Sequence, residues 1–572
     1  MRITLPGVTR PEAGFALTFA GRTLTAFAGE SLAAALMNAG ELALRTTAQG
    51  DARGLYCGMG VCGECSVVVD GLVSRACLTA AAPGQRVEPA PARAVPGAMK
   101  SAGAMPALHC DVLVIGAGPA GLAAAQMAAA SGMQTIVVDE RAKAGGQYFK
   151  QPGTGFKVDA AAIDTQFAQG AALATATGAA GARLLSEVTV WSAERSDAGQ
   201  LIRISQAGAN RTITARRIVI ATGAYERPWP VPGWTLPGVM TTGGAQSLLR
   251  SALTAPGKRV LVAGNGPLNI QLADELTRTG IEVVALVEQA AAPNLRDWRS
   301  ALAMATSAPK LVGDGLRQLL RLRRVGVPHF HGHILVRIEG DARAEHALIA
   351  AIGAHGALVS GSERRFAVDA VCIGPGFLPQ AEMARAIGCG FAWRDGGPFA
   401  IRDDDGRSSQ HDVFIAGDGG GLGGARVGLA QGVLSGAAAA RDLGAILEPV
   451  QADAVRNAVA ALARARRFQA GLWALFKPLV LHDSLATPDT LLCRCECVDH
   501  ATVDALIAGG LRDAGSIKRA CRVGMGRCQG RYCAPLLTAR LAAATGIAPD
   551  DEAGFAPRPP FKPLSIAAIA AE

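Results

Sequence analysis

From residue 13 the apolar positions recur at every second residue, and GFALTFAGRTLTAFAGE predicts a hairpin. The period then lengthens, and SLAAALMNAG predicts a helix with Ser31 near its start. A Gly-rich loop carrying three cysteines follows, and SVVVDGLVSRAC predicts a second hairpin. The stretch EPAPARAVPGAMKSAGAMPA, rich in Pro, Ala and Gly, predicts a linker over roughly 88–107. An apolar strand begins at Asp111. From there to about 445 strand and helix patterns alternate, which implies a parallel sheet with helices on both faces. After 445 the pattern is helical, with VRNAVAALARARRFQAGLWALF leading to a second cysteine region.

The length of 572 residues allows about three or four domains. The formal charge of +9 comes mostly from scattered arginines. No Lys/Arg run with interleaved aromatics suggests nucleic acid, although a basic face for an acidic partner is open. The N-terminus MRITLPGVTRPEAG has no charged-then-apolar signal pattern, and no apolar run approaches the roughly 18–20 residues of a membrane span. Thirteen cysteines without a signal point to reduced thiols and metal in a cytoplasmic protein with no integral membrane span.

Eight of those cysteines form two quartets. The spacing Cys57-x4-Cys62-x2-Cys65-x11-Cys77 begins as the plant-type ferredoxin loop does, and four thiolates are what a [2Fe–2S] cluster needs. Glycines 58, 60 and 63 allow a tight fold that aims N–H groups at sulfur. Zinc sites more often use two separated CxxC pairs. The second quartet is Cys493-x-Cys495 followed, after 32 residues, by Cys528-x4-Cys533, again suited to a metal cluster. Cys497 and Cys521 are supernumerary, so an exchange of ligands is open.

Between the quartets, DVLVIGAGPAGLAAAQMAAASGMQTIVVDE has the strand, glycine turn, helix, strand and acid of a dinucleotide site. Gly116, Gly118 and Gly121 serve the turn, the pyrophosphate and the helix packing, with the helix N-terminus toward the phosphates. Glu140 is expected on the adenosine ribose. A second fingerprint, KRVLVAGNGPLNIQLADELTRTGIEVVALVE, has Gly264 and Gly266, but Asn269 replaces the third glycine, and Glu288 suits ribose hydroxyls. An active NADH site, a retained but non-reducing nucleotide site, and an empty fold all remain open for it.

IVIATGAYERP, with Ala221, Thr222 and Gly223, resembles the crossover motif of two-dinucleotide flavoproteins, and VFIAGDGGGLGGARVGLAQG resembles their late motif, where Asp418 meets the ribityl chain. Together they resemble the glutathione-reductase-type FAD superfamily. No CxxC lies in the core, which disfavours thiol chemistry. The expected FAD contacts are Gly116, Gly118, Pro119, Ala120, Gly121, Glu140, Arg141, Gly146, Gln147, Val188, Ala221, Thr222, Gly223 and Asp418.

The FAD core, PGWTLPGVMTTGGAQ and the terminal CRCE…GMGRCQGRYC resemble the alpha subunits of octopine/nopaline oxidases, hydrogen cyanide synthase and proline or D-hydroxyproline dehydrogenases, and the core is similar to sarcosine oxidase alpha. The first 90 residues resemble the ferredoxin-like gamma subunit of such complexes, fused at the N-terminus. The C-terminal cysteine region resembles bacterioferritin-associated ferredoxins. The fold class expected is α/β. A β-grasp-like [2Fe–2S] domain (1–90) is followed by a linker (91–109). An FAD domain (110–238 and 355–445) encloses a nested NAD-type domain (239–354). A helical connector (446–485), a small helical [2Fe–2S] domain (486–550) and a tail (551–572) complete the chain.

The resemblance implies FAD, two [2Fe–2S] clusters and a partner beta subunit whose own FAD oxidises a CH–NH donor. It also implies an order, in which electrons pass to the C-terminal cluster, then this chain's FAD, then the N-terminal cluster. The chain would be an electron-transferring subunit of an oxidoreductase. A self-sufficient NADH-dependent reductase is the alternative. No residue is assigned as catalytic. His329, His331 and His333 are expected on one face of a partly exposed strand end, and Cys110, Cys372 and Cys389 as buried small side chains.

Overall fold

The computed structural model describes all residues except 93–102, 354–355, 478–484, 565, 567–568 and 570–572. The centre of the expected linker and the end of the connector lie outside the described residues.

The N-terminal unit is a five-stranded sheet in the order Arg22–Ala26, Phe15–Phe19, Arg86–Pro89, Ser66–Val69, Leu72–Arg75. Its hairpins turn on Ala20–Gly21 and Asp70–Gly71, each with positive φ at both residues. Such two-residue turns carry the twist that antiparallel strands need. The Leu32–Asn38 helix starts where expected, with Ser31 Oγ accepting from Ala34 N. It buries Leu32 and Leu36 against the sheet, each worth about 1.5–3 kcal/mol.

The central sheet has seven strands, ordered Arg183–Leu185, Thr135–Val138, Leu108–Ile115, Ala209–Ile220, Gly199–Gln206, Val188–Ser196, with Val413–Ile415 parallel to the end of Ala209–Ile220. Its first strand thus starts at Leu108 rather than Asp111. On one face the Pro119–Ala130 and Gly424–Asp442 helices pack together. A side chain at Gly432 would meet Ala120 O at 2.2 Å, so small residues set this close approach.

A second, parallel sheet follows the order Val239–Thr241, Ala370–Gly374, Arg259–Gly264, Glu282–Glu288, His329–His331. A three-stranded antiparallel sheet, His333–Glu339, His346–Ala351 and Arg364–Ala367, accompanies it. The expected boundary at 354/355 is therefore wrong. Ala370–Gly374 hydrogen-bonds to Arg259–Gly264 in the second sheet, so the nested unit runs to about 374. The histidines also differ from expectation. Gly332, at φ +60°, separates two strands; His329 stacks on His331 at 3.9 Å, whereas His333 meets Phe330.

The Pro449–Leu475 helix lies against both Gly424–Asp442 and Trp298–Ser307, joining the units built on the central and second sheets. The C-terminal cysteine unit holds a Leu491–Cys493/Val498–Asp499 hairpin and the helices His500–Ala508, Ala514–Cys521 and Cys533–Thr545. The segment expected as a tail packs on the body. Phe555 covers Gly524 and Gly530, and Phe561 is buried in the core of the central sheet. No described helix is long and apolar enough to cross a membrane.

Candidate functional site

The first glycine loop is built by contact. A Cβ at Gly121 would stand 1.8 Å from Gly116 O, and one at Gly116 would stand 2.4 Å from Ala221 O. Helix, strand and the Ala221–Thr222–Gly223 crossover can meet only because these side chains are missing. Gly118 caps the Pro119–Ala130 helix without a side-chain bond, and Pro119 has no N–H to satisfy. The first-turn amides are left to face an anion. Ala120 touches the Gly417 backbone beside Asp418, and Gly146 closes on Gly118. Thr222 Oγ1 donates to Gln380 O at 2.8 Å. Asp418 Oδ1 accepts from Gly423 N (2.8 Å) and Gly424 N (2.9 Å) at the start of the next helix. Burial raises its pKa against those bonds. Val188 N donates to Asp139 O at 2.8 Å.

Two adjacent acids share the end of the second strand. Asp139 accepts from Ala117 N at 2.6 Å and Arg141 N at 2.8 Å. Glu140 instead pairs with Arg75 of the N-terminal hairpin (3.1 Å) and Lys562 of the C-terminal segment (2.9 Å). Burial opposes its charge, but Lys562 and Arg75 prevail and hold its pKa at about 2. Its oxygens have further lone pairs for hydroxyl donors. One buried guanidinium nitrogen of Arg141 has no hydrogen-bond partner among the described residues, an arrangement suited to an acceptor group of a bound dinucleotide. The loop, free helix amides and unpaired guanidinium nitrogen fit an FAD.

Behind Gln147 lies the fully covered Lys150, donating to Gln147 O (2.8 Å) and Gln246 Oε1 (2.7 Å). Burial, then Arg141 and Arg250, push its pKa down to about 7. Burial pushes Glu226, which accepts from Gly243 N at 2.8 Å, up to about 7.

The second fingerprint satisfies itself. Glu288, fully buried, accepts from Gly266 N at 3.0 Å, and burial pushes its pKa up to about 8. Asn269 uses the space of the missing glycine to donate to Gly374 O (2.8 Å) and accept from Thr242 Oγ1 (2.7 Å). Helix packing is therefore kept by a buried amide. Asn265 donates to Phe476 O at 2.7 Å, which sets the end of the Pro449–Leu475 helix on the loop beside Gly264.

The first quartet converges in a buried loop. Gly58, Gly60 and Gly63 all have positive φ. Met59 N and Glu64 N approach Cys57 Sγ and Cys62 Sγ at 3.5 and 3.4 Å. Cys57 lies within hydrogen-bonding reach of Cys62, and Cys77 of Cys65. In the second quartet Cys495 Sγ lies 3.9 Å from Cys493 Sγ and 3.7 Å from Cys528 Sγ, with Cys533 beside Cys493. Cys497 turns to Arg494 O and Arg53, and Cys521 to Ile517 O, so neither joins the four. Four converging sulfurs in each loop fit an iron–sulfur cluster. Among the described residues no group of three His, Cys, Asp or Glu is set to hold a single metal ion. Cys110, Cys372 and Cys389 are buried and apart, and burial pushes the Cys110 thiol up to about 12.

Sequence reasoning missed the charges around these loops. Glu64, between Cys62 and Cys65, is buried with Arg45 (3.1 Å), Arg53 (3.8 Å) and Arg494 (3.9 Å), the last lying between Cys493 and Cys495. The signal was present: CGEC and CRC each enclose one charged residue of opposite sign.

Residues 110–432 match the family model "Pyridine nucleotide-disulphide oxidoreductase". Residues 13–91 match "2Fe-2S iron-sulfur cluster binding domain", and 491–572 match "Sarcosine oxidase A3 domain", which takes in the expected tail. The chain is an FAD- and [2Fe–2S]-containing oxidoreductase.

It is 34% identical over 473 residues to the opine oxidase A subunit of Agrobacterium tumefaciens (strain Ach5), covering 80% of this chain and 91% of that one. It is 28% identical over 463 residues to the HcnB subunit of hydrogen cyanide synthase from Pseudomonas aeruginosa, covering 80% and 97%. The L-proline dehydrogenase of P. horikoshii has a similar fold, with a TM-score of 0.70 at 20% identity over 97% of both chains. The chain belongs to the family of opine oxidase A subunits, HcnB and sarcosine oxidase alpha.

Proposed function

We propose that this chain is the electron-transferring subunit of a cytoplasmic, heteromeric dehydrogenase for an amino or imino acid of the opine, proline, hydroxyproline or glycine type. A partner flavin subunit would oxidise the CH–NH bond and hand over the electrons. The observation that carries this reading is the pair of cysteine quartets, six of whose eight side chains are buried, packed against one flavin fold. Relatives named as subunits of oxidases and synthases support a partner. None of the thirteen cysteines is joined in a disulfide, which suits a reducing compartment.

FAD is assigned to Gly116, Gly118, Pro119, Ala120, Gly121, Glu140, Arg141, Gly146, Gln147, Val188, Ala221, Thr222, Gly223 and Asp418. The first cluster is assigned to Cys57, Cys62, Cys65 and Cys77, and a second to Cys493, Cys495, Cys528 and Cys533. When bound, the flavin accepts and releases electrons singly or in pairs and the clusters carry one each. The glycine loop and helix amides would hold the pyrophosphate, Glu140 the ribose, and Asp418 the ribityl side. Lys150 braces the Gln147 backbone, which would help hold the flavin.

The NADH-reductase alternative is less well supported, because Glu288 already occupies the Gly266 amide and Phe476 O engages Asn265. The test is an anaerobic titration of the purified chain. NADH is expected to leave the flavin absorbance unchanged while dithionite bleaches it, and the isolated chain is expected to oxidise no amino acid. Rapid bleaching by NADH, or amine turnover without a partner, would overturn the reading.

A further inference from the structure

Although they lie near opposite ends of the sequence, the two cysteine loops touch. A Cβ at Gly63, next to Cys62, would stand 2.9 Å from Arg527 Cβ, next to Cys528. With consecutive Cα atoms about 3.8 Å apart, the Cys62 and Cys528 backbones lie within roughly 14 Å. Cys57, Cys62, Cys528, Tyr56 and Tyr532 belong to one buried apolar cluster, in which the Tyr56 and Tyr532 rings are 5.4 Å apart. Charge bridges the same gap. Glu64 of the first loop faces Arg494 of the second, and the Arg494 guanidinium lies 3.9 Å over the Tyr56 ring and 4.7 Å over Trp234. Arg494 also donates to Trp234 O, and Trp234 Nε1 donates to Leu491 O at 2.9 Å. The Gly63–Arg527, Tyr56–Tyr532, Glu64–Arg494 and Arg494–Tyr56 contacts join the two loops directly, and Trp234 holds Arg494 in place.

The first loop also packs on the Thr242–Ala252 helix. Thr241 N donates to Tyr56 O at 2.9 Å, and a Cβ at Gly58 would stand 2.8 Å from Gly244 Cα. Gly244 is two residues from Gln246, which accepts from Lys150 behind the Gln147 loop. The second loop reaches the flavin fold directly, through Arg531 and Glu382 at 3.2 Å, so both loops border the body of the chain as well as each other.

We propose that the two quartets work as one coupled pair, exchanging electrons directly across the Gly63–Arg527 and Glu64–Arg494 contacts. This rests on the reading of the second quartet as a cluster site. It replaces the order implied by family resemblance, in which the flavin stands between the clusters. The step balances simply. One electron leaves the reduced centre and reduces the oxidised one, with no bond formed or broken and no proton moved. Arg494 is a positioning residue. With Arg45 and Arg53 it sets three positive charges against the carboxylates of Glu64 and Asp51, a net positive setting that favours the extra electron on either side.

The test is low-temperature EPR with an iron assay on the full-length, cluster-loaded protein during a stepwise dithionite titration. The expected result is two spins per chain at full reduction, with line splitting and accelerated relaxation that vanish when only one centre is reduced. Two spins with unsplit, additive signals throughout would overturn the coupling while leaving both clusters in place. Iron and spin for a single cluster would overturn the second-cluster reading itself. Arg494→Leu is expected to change both the splitting and the interval between the two midpoint potentials at unchanged iron content, with Arg494→Lys restoring the interval in part. An unaltered interval in Arg494→Leu would remove Arg494 from the role.

Discussion

In the first dinucleotide fold the glycine loop meets an aspartate, Asp139 on Ala117 N, while the neighbouring Glu140 pairs with Arg75 and Lys562 from the two ends of the chain. In the second, Glu288 turns onto the loop itself and Asn269 fills the place of the third glycine. Both folds start from the same strand, loop, helix, strand and acid. The first spends its acid on docking other domains and leaves helix amides facing outward. The second closes its own loop and receives the end of a long helix upon it. A fingerprint thus specifies a backbone path, while the partners of its amides decide whether a ligand has anything left to bind.

The largest expected effect breaks the first fold. In Gly121→Val the new Cβ would collide with backbone oxygen, which cannot swing aside, so helix and strand must separate. Loss of about 3 kcal/mol or more is expected, with at least a tenfold fall in FAD per chain. Thermal unfolding and the flavin-to-protein absorbance ratio measure both. Retention of full flavin would show that the close approach is dispensable.

Glu140→Gln comes next, at about 2–3 kcal/mol for two charge-assisted bonds. The folded pKa of Glu140 is depressed to about 2, so its contribution is complete above the ordinary carboxylate pKa and is lost as pH falls toward 2. Denaturant unfolding at pH 7 and pH 3 should show the variant's deficit shrinking at the lower pH. A deficit that grows on acidification would contradict the pairing. Limited proteolysis should also release the C-terminal segment around Lys562 faster.

In the second fold, Asn269→Ala removes two buried bonds and is expected to cost about 1–2 kcal/mol without loss of flavin. The contrast with Gly121→Val is the sharper result. If Asn269→Ala also empties the flavin site, the two folds are not independent.

Glu288→Gln is the smallest where the parent carboxyl stays protonated, within about 1 kcal/mol near pH 5. The raised pKa means that burying Glu288 costs progressively more stability as pH rises from the ordinary carboxylate value to about 8, and no more beyond. The variant should therefore gain on the parent between pH 5 and pH 8 in thermal unfolding. Equal curves would mean that Glu288 ionises normally.

Much of the site was legible from spacing. The Ser31 cap, the Asp70–Gly71 hairpin, the first glycine loop and the close cysteine pairs depend on residues near one another in sequence, and the backbone rules that link them act locally. The nested boundary was not legible. The strand Ala370–Gly374 is buried along its whole length, and such a run reads alike in either sheet. Only its hydrogen bonds to Arg259–Gly264 assign it. The C-terminal segment failed for a similar reason, since Phe561 and Lys562 gain their meaning from Trp191 and Glu140, hundreds of residues away.

The sequence alone thus determined the flavin fold, the cysteine quartets and the family, because glycine and cysteine requirements are imposed by near neighbours. Tertiary structure alone decided that the second loop closes on Glu288, that Glu64 gathers three arginines, and that the two cysteine loops meet at Gly63 and Arg527. Ion pairing and close packing act through space and leave no period in the chain, so nothing in the order of residues announces them.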